Sequence, residues 1–182
     1  MRLPDALRVL ARQDGSGRYV FVTADLRLLL GESGDKLAKT LDRLVAGGVL
    51  ERACRAVYVY RLSRHLGADT IAEVAVALRR YHYNYLSYES ALSEWGAISQ
   101  KPLDRITVAT TGREGEFSTP YGVVEFTHTD LSPEVILANT VDRSPNPLPI
   151  ATAGLALRNL RRAGRDLDLV DAEGEAAWWP PS

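Results

Sequence analysis

Cysteine is nearly absent from this sequence: Cys54 is the one thiol in 182 residues. A single cysteine closes no internal disulfide and builds no cysteine zinc site, so the composition points to a reducing compartment and the cytoplasm is the expected location. Long apolar runs are missing as well. The stretch from Ile71 to Leu78 is interrupted by Glu73, far short of the roughly 20 apolar residues that cross a bilayer, and no membrane partner is expected. The opening Met1-Arg2-Leu3-Pro4-Asp5 lacks the basic stretch and apolar core of an export signal. Disorder is excluded by a hydrophobic content of 46%, enough for one ordinary domain or two small ones.

An excess of one charge is also lacking overall, with 22 basic and 23 acidic residues and a net charge of −1. The balance hides an asymmetry. Residues 1–66 carry 12 Lys/Arg against 7 Asp/Glu, net +5, while residues 67–182 carry 10 against 16, net −6. A basic unit is the footprint of a polyanion-binding module, and an acidic one repels the same ligand. The expected division is therefore a DNA-binding domain over residues 1–66 and a second domain over 67–182.

Within the first unit, Pro4 suits a first helical turn, and Leu3, Leu7 and Leu10 follow it until Asp14-Gly15-Ser16-Gly17 ends the helix. Tyr19-Val20-Phe21-Val22 reads as a short strand. Thr23 is placed to cap a helix over about Ala24 to Leu30, closed by Gly31. A third helix runs from Asp35 to Ala46 before Gly47-Gly48. Its periodicity puts Leu37, Leu41, Leu44 and Val45 on a buried face and Lys36, Lys39, Thr40 and Arg43 on an exposed one. Val49 to Cys54 and Ala56 to Leu62, joined at Arg55, read as a hairpin.

Helix, strand, helix, helix, hairpin is the order of a winged helix-turn-helix. In such a unit one helix enters the major groove and the hairpin forms the wing. Lys36, Lys39 and Arg43 then reach phosphates or guanine edges, Thr40 a base edge, Arg52 and Arg55 the backbone from the wing, and Ser33 a phosphate. The competing reading is an ordinary solvated helix face, or a winged helix that pairs only with proteins.

In the second half, residues 68–85 read as a helix with Ile71, Val74, Ala75 and Leu78 as its stripe. Tyr81, His82, Tyr83 and Tyr85 follow as an aromatic cluster, for which core packing is favoured over base stacking. Ser87 caps the next helix, running to Gly96. Ile106 to Thr110 and Gly122 to Thr127 are strands, with a turn-rich loop at Gly112-Arg113-Glu114-Gly115-Glu116 between them. Thr152 caps a helix bearing Arg158, Arg161, Arg162 and Arg165, which read as dipole partners near its C-terminus rather than a phosphate site. A tail with Asp166, Asp168, Asp171, Glu173 and Glu175 ends in Trp178-Trp179-Pro180-Pro181. The expected fold class is α+β, a winged helix-turn-helix followed by a mixed α/β C-terminal domain.

Three ordered blocks carry a family likeness: Tyr85-Leu86-Ser87-Tyr88-Glu89-Ser90-Ala91-Leu92, then Ile106-Thr107-Val108-Ala109-Thr110-Thr111-Gly112-Arg113, then Thr119-Pro120-Tyr121-Gly122-Val123-Val124-Glu125-Phe126-Thr127-His128. With the N-terminal unit they make the chain, up to about Arg165, resemble the AbiEi antitoxins of type IV toxin–antitoxin systems. The resemblance implies a winged helix that represses its own promoter and a C-terminal antitoxin domain countering a nucleotidyltransferase-like toxin, in a phage-defence setting. In that setting the loop with Arg113, Glu114 and Glu116 is the expected partner contact. Arg113 can pair with a carboxylate on the toxin, the alternative being a solvated turn.

An enzyme needs a nucleophile, base or metal, and the candidates His65, His82, His128 and Cys54 form no familiar constellation. Glu125 and His128, three apart on a strand, face opposite sides. No catalytic residues, cofactor or metal are expected.

Overall fold

The computed structural model describes residues 1–98 and 104–165. The acidic tail and Trp178-Trp179 lie outside the described residues. The fold is α+β, with seven helices and two sheets among the described residues. It divides into two compact units: Met1–Leu78 with Thr119–Tyr121, and Arg79–Ser118 with the chain from Gly122 onward. No helix among the described residues is long and apolar enough to cross a membrane.

The first unit runs α1 (Leu3–Gly15), β1 (Val20–Val22), α2 (Thr23–Leu30), α3 (Gly34–Ala46), β2 (Leu50–Cys54), β3 (Val57–Tyr60) and α4 (Thr70–Leu78). Its sheet is antiparallel in the order β1-β3-β2, with Val20 opposite Val59 and Leu50 opposite Tyr60. The β2–β3 connection is tight, turning at Arg55-Ala56 with Ala56 at φ 65°. A register shift between Arg52 and Cys54 increases the local twist of the hairpin. Leu10, Phe21, Leu26 and Val59 are fully buried and tie the helices to the sheet. Thr23 is the first residue of α2 rather than its cap. The Asp25 carboxylate accepts the Val22 N–H at 3.0 Å and satisfies an amide that a threonine cap would have left to others.

The helix expected over residues 68–85 stops at Leu78. Val74, fully buried, belongs to the first core, so by packing this helix falls in the first unit although the sequence puts the boundary at 66/67. The Tyr19 hydroxyl lies 3.4 Å from Thr70 Oγ1, a further tie. Glu73 on α4 has its pKa raised, first by burial and then by Asp69, against a smaller opposing effect of His65. A carboxyl with a raised folded-state value favours its protonated form, so the penalty of its charge is fully present above the folded pKa and disappears as pH falls below the ordinary carboxylate range. Glu73→Gln is expected to raise the melting temperature at pH 7. The gain should vanish on titration towards pH 4, and an equal gain at both pH values would show that burial of the charge is not its source.

The second unit places β4 (Asn84–Leu86), α5 (Tyr88–Glu94), β5 (Arg105–Thr110), β6 (Gly115–Thr119), β7 (Gly122–His128), α6 (Pro133–Ala138), β8 (Thr140–Val141), β9 (Ile150–Ala151) and α7 (Ala153–Arg162) in chain order. Six strands form a mixed sheet in the order β6-β7-β5-β4-β9-β8. β4 is antiparallel to β5 and parallel to β9, and β5 is parallel to β7. α5 and α7 pack together, and Tyr85, Leu92, Leu155 and Leu160 fill the core. Thr152 caps α7, its hydroxyl accepting the Leu155 N–H at 3.3 Å. The loop read over Gly112 to Glu116 is shorter than expected, because Gly115 and Glu116 open β6.

Candidate nucleic-acid interface

Helix α3 is amphipathic, and its buried side consists of Leu37, Thr40, Leu41 and Leu44. Two placements differ from the periodicity. Thr40 is only 3% exposed, and Val45 is 36% exposed. At about 100° per residue, Thr40 and Val45 flank opposite edges of the Leu37–Leu41–Leu44 stripe, and the helix is rolled so that Thr40 turns inward. Thr40 therefore leaves the set of base-reading candidates and serves as a bracket, accepting a hydrogen bond from Arg43 Nη2 at 3.1 Å.

Lys36, Lys39 and Arg43 all lie exposed on the opposite side, and Ser33 before the helix and Arg52 and Arg55 on the hairpin are exposed as well. Ser33 is the residue before α3, in extended conformation and without a side-chain cap bond. The three helix cations differ in what surrounds them. Arg43 Nη2 also donates to the Met1 carbonyl at 3.1 Å, and both these partners are neutral, so the bonds orient the guanidinium without neutralising it. Lys36 Nζ sits 3.6 Å from Glu32 Oε1. Glu32 is buried, and a hydrogen bond from the Met1 ammonium, then one from Thr40, then the charges of Met1 and Lys36 hold its carboxyl at about 2 against the ordinary carboxylate value. Glu32 is thus an anion at any physiological pH and offsets part of the charge of Lys36. Periodicity gave no sign of it, because Glu32 precedes the helix and reaches Lys36 only through the i, i+4 geometry of the chain end.

The second unit separates its candidates too. Glu116 Oε2 is 2.7 Å from Arg105 Nη1, which also lies 3.5 Å from Glu125, so Glu116 is held within the sheet. Arg113 and Glu114 are exposed. The arginines at and after the end of α7 have two surroundings: Arg158, Arg161 and Arg162 are exposed, with Arg162 making two 2.9 Å bonds to Asp130 on the surface, whereas Arg165, beyond the helix, is partly buried and pairs with Glu125 and, at 3.1 Å, with Glu89.

Candidate catalytic groups are scattered. His65 stacks on Tyr19 with ring centroids 6.1 Å apart, and His128 Nδ1 lies 2.9 Å from the Gly112 carbonyl. Cys54 is half-buried and its thiol is pushed up by burial, the reverse of an activated nucleophile. Among the described residues no group of three His, Cys, Asp or Glu is placed to hold a metal ion.

No protein-family model matches the chain, and no curated protein matches it. A solved structure does: the crystal structure of the RV2827C protein from Mycobacterium tuberculosis is similar over 93% of this chain with a TM-score of 0.61 and 16% sequence identity. The chain spans 65% of that protein's length. At this identity the likeness is one of fold, and it extends over both compact units.

Proposed function

We propose that the first unit is a winged helix-turn-helix that binds duplex DNA at the promoter of its own operon, and that the chain is an antitoxin of AbiEi type whose second unit counters a nucleotidyltransferase-like toxin. One observation carries the DNA reading: α3 buries Leu37, Leu41 and Leu44 while Lys36, Lys39 and Arg43 stand together on its outer side, with Arg52 and Arg55 exposed on the hairpin of the same unit. A helix so presented fits the major groove, and a hairpin supplies backbone contacts beside it. The toxin reading rests on the three sequence blocks between Tyr85 and His128, with Arg113 and Glu114 as the contact and Glu116 braced by Arg105.

A second reading, a winged helix used only for protein assembly, has one observation in its favour. Asp35 and Asp42 are exposed on α3 and Glu32 lies against Lys36, which lowers the positive field of that helix. Footprinting on the upstream region separates the two. Autorepression predicts protected half-sites spaced by about 10 base pairs or a multiple, and a promoter left unprotected at moderate salt would support assembly instead.

Toxin rescue tests the division of labour. Cells expressing the cognate toxin are expected to survive with the full chain and equally with Lys39→Ala plus Arg43→Ala, since neutralisation is assigned to the second unit. Growth restored only when α3 is intact would mean that protection comes from repression.

A further inference from the structure

The four aromatic residues after α4 do not share one fate. Tyr85 is fully buried in β4, whereas Tyr81 is 93% exposed and Tyr83 is 42% exposed, with His82 exposed between them. Packing accounts for Tyr85 and leaves the others unexplained. Tyr81 also holds φ at 75°, a left-handed conformation that a bulky residue rarely adopts. Neither burial nor backbone preference accounts for a tyrosine at this position, which makes it a candidate for binding.

The turn is rigidly built. The Asn84 amide donates to the carbonyls of Arg79 and His82, both at 2.9 Å, and the His82 N–H donates to the Arg79 carbonyl at 3.1 Å. The turn is also fastened to the loop after β5. Tyr83 N–H donates to Thr111 Oγ1 and Thr111 N–H to the Tyr83 carbonyl, each at 3.1 Å. A side chain at Gly112 would meet the His82 ring at 3.0 Å, so the two segments touch closely. Arg79 Nε donates to the Arg113 carbonyl at 2.8 Å while its guanidinium covers the Phe117 and Phe126 rings at 5.0 and 4.6 Å. The segments that carry Tyr81, Tyr83 and Arg113 are therefore fastened side by side, with all three side chains exposed.

Its charge is local and positive. Arg79, Arg80 and Arg113 stand against Glu114 in these two segments, in a half of the chain whose net charge is −6. The Arg79 pKa is pushed down first by burial and then by the charge of Arg113, whose carbonyl Arg79 holds. Exposed aromatic faces beside guanidinium groups are the composition that stacks unpaired bases and neutralises the phosphates between them. A duplex hides those base faces.

We propose that the Tyr81–Tyr83 turn and the Gly112–Glu114 loop form a binding surface for single-stranded nucleic acid, with Tyr81 and Tyr83 stacking on bases and Arg113 contacting phosphate. This surface does not use α3 or the duplex-binding reading, and it shares Arg113 with the toxin contact proposed above, so the strand and the toxin would compete for this loop.

The test is fluorescence anisotropy of a labelled 20-nucleotide oligo-uridine with the full chain carrying Lys39→Ala plus Arg43→Ala, which removes the duplex face. Binding at low salt is expected. Tyr81→Ala plus Tyr83→Ala should weaken it at least tenfold, each stacked base being worth about 5- to 160-fold, and Tyr81→Phe plus Tyr83→Phe should restore it because the ring and not the hydroxyl stacks. Arg113→Gln should reduce the slope of log affinity against log salt by about 0.7. All substituted side chains are solvent-facing, so an unchanged melting temperature is expected and checks the fold. Absence of binding in the low-salt titration, or binding that the alanine pair leaves intact, overturns the proposal. Cross-linking of the toxin through Tyr81 without any oligonucleotide binding would overturn it in favour of a protein-docking surface.

Discussion

Lys39→Ala combined with Arg43→Ala is expected to weaken binding to the protein's own promoter by at least tenfold and to make the salt dependence shallower by about 1.8 in slope, two lost phosphate contacts at about 0.9 each. If Arg43 reads a base rather than a phosphate, its share appears instead as about 1 to 3 kcal/mol of lost discrimination between operator and unrelated duplex. The surroundings of the three helix cations add a ranking. Lys36 sits 3.6 Å from the buried Glu32 carboxylate, so its removal should change the slope less than removal of Lys39, whose exposed ammonium stands at mid-helix. Mobility shifts over a salt series for the single variants measure this directly. Equal affinity of wild type and the double variant would end the assignment of α3 as the recognition helix, and a Lys36 effect larger than that of Lys39 would contradict the role given to Glu32.

Tyr85→Ala should be the most damaging single change in the second unit. The side chain is fully buried in β4, between two sheet neighbours, and its hydroxyl accepts from the Asn159 amide at 3.3 Å. Truncating a buried aromatic costs about 3 to 5 kcal/mol, a large fraction of the stability of a domain this size. Tyr85→Phe should cost only about 0.5 to 1.5 kcal/mol, the net worth of one hydrogen bond, because Asn159 keeps Ser87 Oγ as acceptor at 2.9 Å. Denaturant unfolding monitored on the second unit checks both values. A Tyr85→Phe variant as unstable as Tyr85→Ala would move the weight from the ring to the hydroxyl.

What could be read from residues alone was the pattern that repeats within one element. The stripe of Leu37, Leu41 and Leu44, the glycine stops after α3 and the Thr152 cap all follow from local periodicity and capping, and they appear in the structure. Thr40 shows the limit, because the direction in which an amphipathic helix is rolled depends on the surface beneath it and not on the helix. The helix that the apolar stripe extended to residue 85 ends at Leu78 for a similar reason. Three residues, Asn84 to Leu86, are claimed as a strand by neighbours far along the chain, and no three-residue window announces that. Glu32 and the exposed Tyr81 were equally illegible, since pairing and exposure are properties of the folded chain.

The position of β4 also sets an order in time. Leu86 faces Ile150, so the inner strand of the larger sheet is completed only after the chain has closed a loop of about 64 residues, whereas β2 and β3 of the smaller sheet meet across a two-residue turn. Closing the longer loop costs more chain entropy, and non-local pairing slows folding. During synthesis the first unit can acquire its sheet as soon as Tyr60 is available, while β4 waits with one edge unpaired until β9 arrives.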